Sequence, residues 1–382
     1  MRYYRTSAKY ALIAGCSAGI AFAACGGDVP VPPAPKADPA QAEEQKQAFI
    51  EGVKPRRPGK PLVAIAAYNE GTEITDFLLP HGVLQRAGVV DVQPVAPRAG
   101  RVSLYPPALQ VEGVQDFASF DRAHPTGADY VIVPAMSKHD DPAITRWLKQ
   151  QHERGARIIG VCVGALVVGE AGLLAGRRFV THWYYRGQAI ERSPTGHYVP
   201  HQRYLIDRDV ATTTGITASV PTMLALIEAI AGRDKAQALA VELGVESWTP
   251  AHDSTQFGLN ASRRFDYVLN RLAFWRHEVW TLELRDGLDD LALAFAADAW
   301  ARTGRVTVTP AGDGSVTLRS GLVIAAGPAP ADGRRLPLAA AGKPMQQLDR
   351  TLCEIDRRFG SSRREWVAME LEYPRVTEVC RR

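Results

Sequence analysis

The chain has few cysteines and lacks the short signatures of common cofactor sites. Its 382 residues contain 5 cysteines, too few for a disulfide scaffold. No C-x-x-C pair is present, so a metal site has little support. Neither a Walker loop nor a Rossmann fingerprint occurs. We therefore expect no metal and no cofactor.

The chain also lacks a strong excess of charge of either sign. The formal net charge is +4, and residues 1–24 carry Arg2, Arg5 and Lys9 without any acid. The rest of the chain is therefore close to neutral, at +1. No helix-turn-helix pair is visible after residue 247, and a basic footprint is missing. We expect no nucleic-acid partner.

Residues 1–24 have the plan of a secretory signal, with a basic start and an apolar run of about 14 residues. Ala21-Phe22-Ala23 fits cleavage by ordinary signal peptidase, whereas Phe22 to Cys25 resembles a lipobox. A lipobox at Cys16 is not favoured, because the apolar run before it is too short. An uncleaved N-terminal anchor is the alternative. We predict lipidation at Cys25, and a periplasmic protein held to a bacterial membrane by this lipid anchor.

Residues 25–61 are rich in proline and alanine, which favours an extended tether. Within it, Ala40 to Val53 is predicted to form one short helix.

Residues 62–247 alternate between apolar strands and amphipathic helices, which predicts an α/β domain with a parallel sheet. The predicted strands are Leu62–Ala67, Val89–Val95, Tyr130–Val133, Ala156–Val161 and Arg178–Thr181. The predicted helices are Ile74–Ala87, Asp141–Gly155 and Val163–Leu174. In such sheets, chemistry collects at the carboxyl ends of the strands.

The sequence Gly160-Val161-Cys162-Val163-Gly164 lies at such an end and has the form of a nucleophile elbow. Glycines on both sides of Cys162 allow a sharp turn from strand to helix. The following helix is expected to lower the thiol pKa, and the Val163 N–H to act as an oxyanion donor. A buried structural cysteine is the alternative.

The stretch GVCVGALVVGEAGLLAGRRFVTHW resembles the ThiJ/PfpI superfamily, especially its isocyanide hydratases and the N-terminal domains of AraC-type regulators. The opening strand and helix and the TTGITA turn agree with this resemblance, which covers residues 62–247. It implies a flavodoxin-like, class I glutamine amidotransferase-like fold, a three-layer α-β-α sandwich. It also implies a small-molecule substrate or ligand.

The resemblance implies several site residues. Asp76 matches the acid that faces the cysteine, with Glu73 as the alternative acid. His182 matches a histidine near the cysteine, as a base or as a core residue. Gly164 and Thr217 are expected to line the pocket.

Two departures from the family pattern weaken the oxyanion hole. The glycine pair usual after the third strand is replaced by Pro134 and Ala135, so the Ala135 N–H is an uncertain donor. Val163 stands where the hydratases usually have threonine.

A partial internal repeat follows the domain. Gly71 to Gly88 aligns without gaps to Gly287 to Gly304, and Arg101–Leu104 pairs with Ser315–Leu318. Near the end, Leu352 to Pro374 echoes Leu224 to Trp248. We predict a helical linker over residues 248–278, with a helix from Ala261 to His277, and a truncated second copy over 279–375.

The second copy lacks the segment that carries the elbow, and Ala292 stands at the position of Asp76. It is therefore expected to be catalytically dead. It would pack against the first domain as a pseudo-dimer, although a homodimer stays open. Cys353 and Cys380 form a disulfide or stay free.

Three functions agree with these features. The first is a cysteine-dependent hydrolase or hydratase acting on a small molecule. The second is a periplasmic redox or ligand sensor based on oxidation of Cys162. The third is a binding or scaffold protein that kept the fold and lost turnover.

Overall fold

The computed structural model describes residues 29–36, 38–106, 109–258, 278–329, 334–338, 342–374 and 380. The predicted signal at residues 1–24, the predicted lipidation site Cys25 and the predicted helix at 261–277 lie outside these ranges. Within them, no helix combines the length and the apolar character needed to cross a membrane.

The first α/β region alternates strands and helices as the sequence predicts. Its strands are β1 (Leu62–Ala66), β2 (Thr72–Glu73), β3 (Asp91–Ala96), β4 (Gly100–Tyr105), β5 (Leu109–Asp116), β6 (Tyr130–Val133), β7 (Arg157–Gly160), β8 (Arg178–Phe179), β9 (His197–Tyr198), β10 (Tyr204–Asp207) and β11 (Val210–Thr213). Its helices, after α1 (Pro39–Val53), are α2 (Ile74–Ala87), α3 (Phe117–Ala123), α4 (Pro142–Glu153), α5 (Gly164–Glu170), α6 (Arg186–Arg192), α7 (Ser219–Ala231) and α8 (Arg233–Leu243). Short 3-10 turns cover Trp183–Tyr185, Ile216–Ala218 and Ser254–Gln256.

The main sheet is mixed but mostly parallel. Its strand order is β10-β11-β7-β6-β1-β3-β5, continued by two strands of the second region. The central strands β6 and β7 are completely buried, which explains their continuous apolar sequences. Pairing is parallel from β11 to β5, while β10 runs antiparallel to β11 and β4 runs antiparallel to β5. The chain therefore departs from an all-parallel sheet at both edges.

The predicted short helix is present as α1, but it does not belong to an extended tether. Phe49, Ile50 and Val53 are buried in the core, and Phe49 meets Tyr204 with ring centroids 4.6 Å apart. The Tyr130 hydroxyl donates to the carbonyl oxygen of Val53 at 2.6 Å. The predicted tether over 25–61 is therefore wrong for its second half, because apolar residues of α1 cover the sheet.

The second region contains a further β-α-β unit. It consists of β12 (Glu278–Glu283), α9 (Asp290–Arg302), β13 (Val306–Ala311), β14 (Ser315–Thr317), β15 (Val323–Ala325), β16 (Arg334–Arg335), α10 (Pro344–Phe359) and α11 (Ser361–Glu370). Strands β12 and β13 are parallel and form a small sheet with β16. Helix α9 packs against α2 of the first region.

The two regions share one sheet. Strand β15 pairs antiparallel with β5, so that Ile324 lies opposite Val111, and β14 pairs antiparallel with β15. The hairpins β4–β5 and β14–β15 thus meet edge to edge. Antiparallel pairing of corresponding strands is the arrangement that a two-fold axis generates.

The helical ends of the two regions also correspond. Gly232 joins α7 to α8, and Gly360 joins α10 to α11, with the same backbone angles, φ 86° and ψ 166°. Cys353 on α10 forms a disulfide with Cys380, which resolves the alternative that the sequence left open.

Candidate functional site

Cys162 lies on a strained turn at the carboxyl end of β7. Its φ is 56°, in the left-handed region that a side chain other than glycine rarely adopts. Such a residue costs roughly 1–2 kcal/mol and persists only where its surroundings hold it in place. This is the backbone geometry of a nucleophile elbow.

Two threonines and one glycine hold the elbow. The Cys162 N–H donates to Thr213 Oγ1, and the Cys162 carbonyl accepts from Thr181 Oγ1, both at 3.1 Å. At Gly164, a Cβ atom would lie 1.9 Å from the Val133 carbonyl oxygen. Only glycine allows α5 to start this close to β6, so the predicted pocket residue Gly164 has a packing role.

Asp76 is completely buried on the first turn of α2. Its Oδ2 accepts the Ala135 N–H at 3.1 Å, and its Oδ1 has no hydrogen-bond partner in the described part of the chain. Burial, followed by the charge of Glu73, raises the pKa of Asp76 well above its usual value. The surroundings of Asp76 therefore favour the protonated form of its carboxyl group.

Glu73 is the N-cap of α2. Of the two neighbouring acids, Glu73 and Asp76, it is the one that forms an ion pair with Arg302. It accepts from the Asp76 N–H and from Thr75 Oγ1, both at 2.7 Å, and Arg302 of α9 approaches its carboxylate at 2.9 Å. Burial raises the pKa of Glu73, and Arg302 opposes this rise. Asp76 has no ion-pair partner among the described residues, so of these two acids Asp76 is the one whose protonated form is more strongly favoured.

Arg302 belongs to a buried network that joins both regions. Asp298 lies at 2.7 Å on the same helix, and Glu370 of α11 lies at 3.4 Å. Burial disfavours the charge of Arg302, but its three acids outweigh this and raise its pKa well above the ordinary value. The network fixes the start of α2, where Asp76 lies.

The Cys162 thiol is buried, with 3% of the residue exposed. Burial, and then the charges of Asp76, Glu73 and Glu372, raise the pKa of the thiol well above its usual value. The prediction of a lowered pKa is therefore wrong. Helix α5 has only seven residues, too few to offset the loss of water around sulfur.

His182 does not pair with the cysteine in this structure. Its Nε2 lies 2.9 Å from the Glu370 carbonyl oxygen, and its Nδ1 accepts from the Tyr184 N–H at 3.3 Å. Burial lowers the pKa of His182 to about 4, so the ring is neutral. The geometry corrects the predicted base to a core histidine, because both ring nitrogens are occupied.

The predicted oxyanion donors differ in availability. The Ala135 N–H is bound to Asp76, so it is not free to hold an oxyanion. The Val163 N–H meets no acceptor among the residues that the structure describes. Of the two, only Val163 is available to a developing negative charge near Cys162.

The C-terminal segment brings an unpredicted carboxylate to this end of the sheet. Glu372 Oε1 accepts from the Trp183 N–H and Oε2 from the Gly215 N–H, both at 2.7 Å. Burial raises the pKa of Glu372 to about 7, and its hydrogen bonds lower it only in part. Glu372 is the third acid that raises the Cys162 pKa.

Glu372 adopts a strained backbone at a position where the first region has glycine. After α8, Gly244 has φ 87°; the corresponding residue after α11 is Glu372, with φ 49°. The following backbone contacts match as well: Val245 bonds to Ala240, and Tyr373 to Ala368, both at 2.8 Å. A left-handed glutamate costs about 1 kcal/mol relative to glycine. Strain of this kind clusters at functional sites.

Thr217, predicted to line the pocket, holds this same segment. Its N–H bonds to the Leu371 carbonyl at 3.3 Å, and its hydroxyl to the Glu372 carbonyl at 2.8 Å. Thr217 and Glu372 also line a cavity of about 250 Å³ with His252. The described residues contain no group of three or more metal-ligating side chains.

The mostly parallel sheet with helices on its faces, and the elbow after β7, define a class I glutamine amidotransferase-like α/β domain. Residues 62–229 match the model of the DJ-1/PfpI family. This part of the chain is a DJ-1/PfpI family domain, and a large additional region follows it.

Two curated relatives resemble parts of the chain. An isonitrile hydratase of Pseudomonas putida is 33% identical over 105 residues, 27% of this chain and 44% of that protein. The HTH-type transcriptional regulator CdhR of Pseudomonas aeruginosa is 30% identical over 154 residues, 38% of this chain and 45% of that protein. The chain thus spans less than half the length of either relative.

Two solved structures resemble part of the chain. A DJ-1 superfamily protein of Salmonella typhimurium matches with a TM-score of 0.43 and 21% identity, over 48% of this chain and 98% of that one. An AraC family transcriptional regulator of Pseudomonas putida matches with a TM-score of 0.43 and 21% identity, over 47% and 98%.

Sequence reasoning missed two groups at the site, Arg302 and Glu372. A signal for each was present in the internal repeat. In the repeat, Arg302 aligns with Arg86, and Asp289 aligns with Glu73. Each unit therefore has one acid and one arginine at matching positions. Glu372 is the residue that replaces Gly244 in the repeated helical end.

Replacing Glu372 with glycine should make Cys162 more reactive. The change removes a carboxylate that raises the thiol pKa and a side chain that packs against Gly215, and it suits the left-handed backbone. Each unit by which the thiol pKa falls gives about tenfold more thiolate at a fixed pH below it. We expect alkylation by iodoacetamide at pH 8 to be about tenfold faster in Glu372→Gly.

Glu372→Gln is the matched control, since it removes the charge and keeps the size. Equal acceleration in both variants would assign the effect to charge alone. If Glu372→Gly reacts no faster than the unchanged protein, Glu372 does not restrain the thiol.

Proposed function

We propose that this protein is a cysteine-dependent enzyme of hydratase or hydrolase type that acts on a small molecule. The observation that carries the proposal is the strained elbow cysteine beside Asp76, a completely buried carboxyl group whose Oδ1 has no hydrogen-bond partner in the described chain and whose pKa burial raises. A thiol supplies the nucleophile and a neutral carboxyl supplies a proton, which are the two parts that such a reaction needs.

The isonitrile hydratase relative suggests a substrate class, an isonitrile. Cys162 Sγ would bond to the terminal carbon, and Asp76 would give that carbon a proton and take the thiol proton. Water then adds to the same carbon and the carbon–sulfur bond breaks, releasing an N-substituted formamide and restoring the thiol. The net change is the addition of one water, with no oxidant or reductant.

The raised thiol pKa argues for this order of events and against the redox sensor. Oxidation to sulfenic acid requires thiolate, and burial beside three acids suppresses thiolate at Cys162. An addition assisted by an acid starts from the neutral thiol, because the proton is transferred while the carbon–sulfur bond forms.

A non-catalytic binding protein is the second candidate. It is favoured by the 3% exposure of Cys162, by Glu372 held near the thiol and by the regulator among the relatives. The hydratase predicts turnover, whereas a binding protein predicts none, so one assay separates them.

The test measures formamide release from alkyl and aryl isonitriles by the unchanged protein and by Asp76→Asn. The amide keeps the acceptor for the Ala135 N–H but cannot deliver the carboxyl proton. We expect the rate to fall by about 10²–10⁴, the usual contribution of general acid catalysis. Cys162→Ser should abolish turnover.

Asp290→Asn is the matched control, since Asp290 is a second buried acid whose pKa burial raises to about 6, in the second region. Its turnover should be unchanged. Full activity of Asp76→Asn would exclude Asp76 as the acid, and no turnover with any isonitrile, ester or amide would support the binding protein.

We also propose export and lipidation, on the basis of residues 1–24 and the lipobox that ends at Cys25. The full-length chain expressed in a Gram-negative host should partition with membranes and incorporate labelled palmitate. Cys25→Ser should remove the label. Cytoplasmic, unlabelled protein in both cases would contradict this.

We propose further that residues 279–375 are a degenerate copy of the domain that serves as an internal dimer partner. Reciprocal ion pairs support this, because Arg86 pairs with Asp289 while Arg302 pairs with Glu73, the corresponding residues exchanged. Reciprocal contacts of this kind characterise a two-fold interface.

The two pairs differ in burial, which gives a test. Arg302→Gln leaves three buried acids without a cation and should cost about 3–5 kcal/mol of unfolding free energy. Arg86→Gln should cost less, since its partners Asp289 and Glu242 keep 24% and 45% of their side-chain surface. Urea unfolding should stay a single transition in both variants. A separate early transition for the second region would show an independent appendage instead.

A further inference from the structure

The second region contains a cavity of about 240 Å³ beside the start of α9. Four cationic side chains line it, Arg285, Arg319, Lys343 and Arg350, and Asp289 is the acid among its lining residues. An excess of cations around a concave surface attracts anions.

Asp289 does not cancel this excess. Its Oδ1 accepts the N–H groups of Leu291 and Ala292 at 3.1 and 3.0 Å, as the cap of α9. Its Oδ2 pairs with Arg86 of the first region and lies 3.8 Å from Arg319, which also pairs with Glu242 at 3.0 Å. Asp289 and Glu242 thus balance Arg86 and Arg319, while Arg285 and Lys343 have no acidic partner among the described residues and leave the cavity with a net positive charge.

The cavity occupies the place in the second region that corresponds to the cysteine site in the first. Ala292, which lines it, corresponds to Asp76, and Arg319 follows Leu318 as Tyr105 follows Leu104. The Arg319 N–H bonds to the Leu288 carbonyl at 2.9 Å, which places Arg319 beside the start of α9. Compared with the first region, the second region thus has alanine in place of the acid Asp76 and the cation Arg319 in place of Tyr105.

At one wall of the cavity, the chain around Lys343 is closely packed. A Cβ atom at Gly244 would lie 2.9 Å from the Lys343 Cβ, and one at Gly342 would lie 3.0 Å from an Arg350 nitrogen. Glycines at both positions let the backbone that carries Lys343 approach this closely. The position of the lysine is therefore set by the contact between the two regions.

We propose that this cavity binds a small multivalent anion, a polycarboxylate or a phosphate group. Its volume lies below the usual range for drug-sized ligands, and several cations converge on it. Carboxylates and phosphates form charge-assisted, often paired hydrogen bonds with guanidinium groups. The proposal does not depend on turnover at Cys162.

The test is isothermal titration of the full chain with citrate and, separately, with inorganic phosphate at constant ionic strength. Saturable binding at one site is expected for at least one of them, while acetate, with a single charge, should bind much more weakly. The double variant Arg285→Gln/Lys343→Gln should lose at least tenfold in affinity. Both side chains are exposed, so the fold should be retained, as an unchanged thermal unfolding midpoint would show.

Arg334→Gln/Arg335→Gln is the control with the same change of charge. These arginines line a different cationic cavity, beside Trp280. Binding that survives the control but weakens in the first double variant supports the proposal. Binding lost only in the control would place the anion at Trp280, and absence of saturable binding by either probe would overturn the proposal.

Discussion

The buried guanidinium of Arg302 is the interaction on which the rest of the molecule depends. Removing a cation from water costs several kcal/mol, and only close acids with good geometry offset that cost. Arg302 meets Glu73, Asp298 and Glu370, which lie on three different helical segments. The start of α2, the end of α9 and the end of α11 are therefore held together at one point. Loss of any of these contacts would leave a buried charge, so the two regions cannot separate without a large cost.

The same interaction distinguishes the two acids at the start of α2. Arg302 forms an ion pair with Glu73. Asp76 accepts a hydrogen bond from the Ala135 N–H but has no ion-pair partner among the described residues. Burial and the charge of Glu73 raise the pKa of Asp76, and the Ala135 N–H and Arg302 offset this rise only in part. A protonated acid beside a protonated thiol would suit addition to an electrophilic carbon better than thiolate chemistry does. The surroundings of Cys162 thus favour acid assistance over a lowered thiol pKa.

The main parts of the fold and the sharp turn at Cys162 were predictable from the sequence, because both depend on local patterns. Apolar runs gave the strands, and the glycines around Cys162 indicated the elbow, whose left-handed φ confirms a sharp turn. The protonation states were not predictable. The thiol pKa depends on burial and on acids that are distant in sequence, and the role of His182 depends on the Glu370 carbonyl. The edges of the main sheet depend on the second region, whose β15 pairs with β5.

The proposed origin of the second region as a degenerate copy would change what each copy can become. In a homodimer, every substitution appears on both sides of the axis, so an acid needed at one site must be kept at both. Here Asp76 corresponds to Ala292, and Gly244 corresponds to Glu372. A symmetric dimer could not carry different residues at corresponding positions. Under this proposal, the second region was free to lose an acid at this position while it kept Arg302, which pairs with Glu73 of the first region. The exchanged pairs, Arg86 with Asp289 and Arg302 with Glu73, both hold the two regions together. Two of the asymmetric residues, Asp76 and Glu372, instead lie at the cysteine site, where both raise the pKa of the thiol.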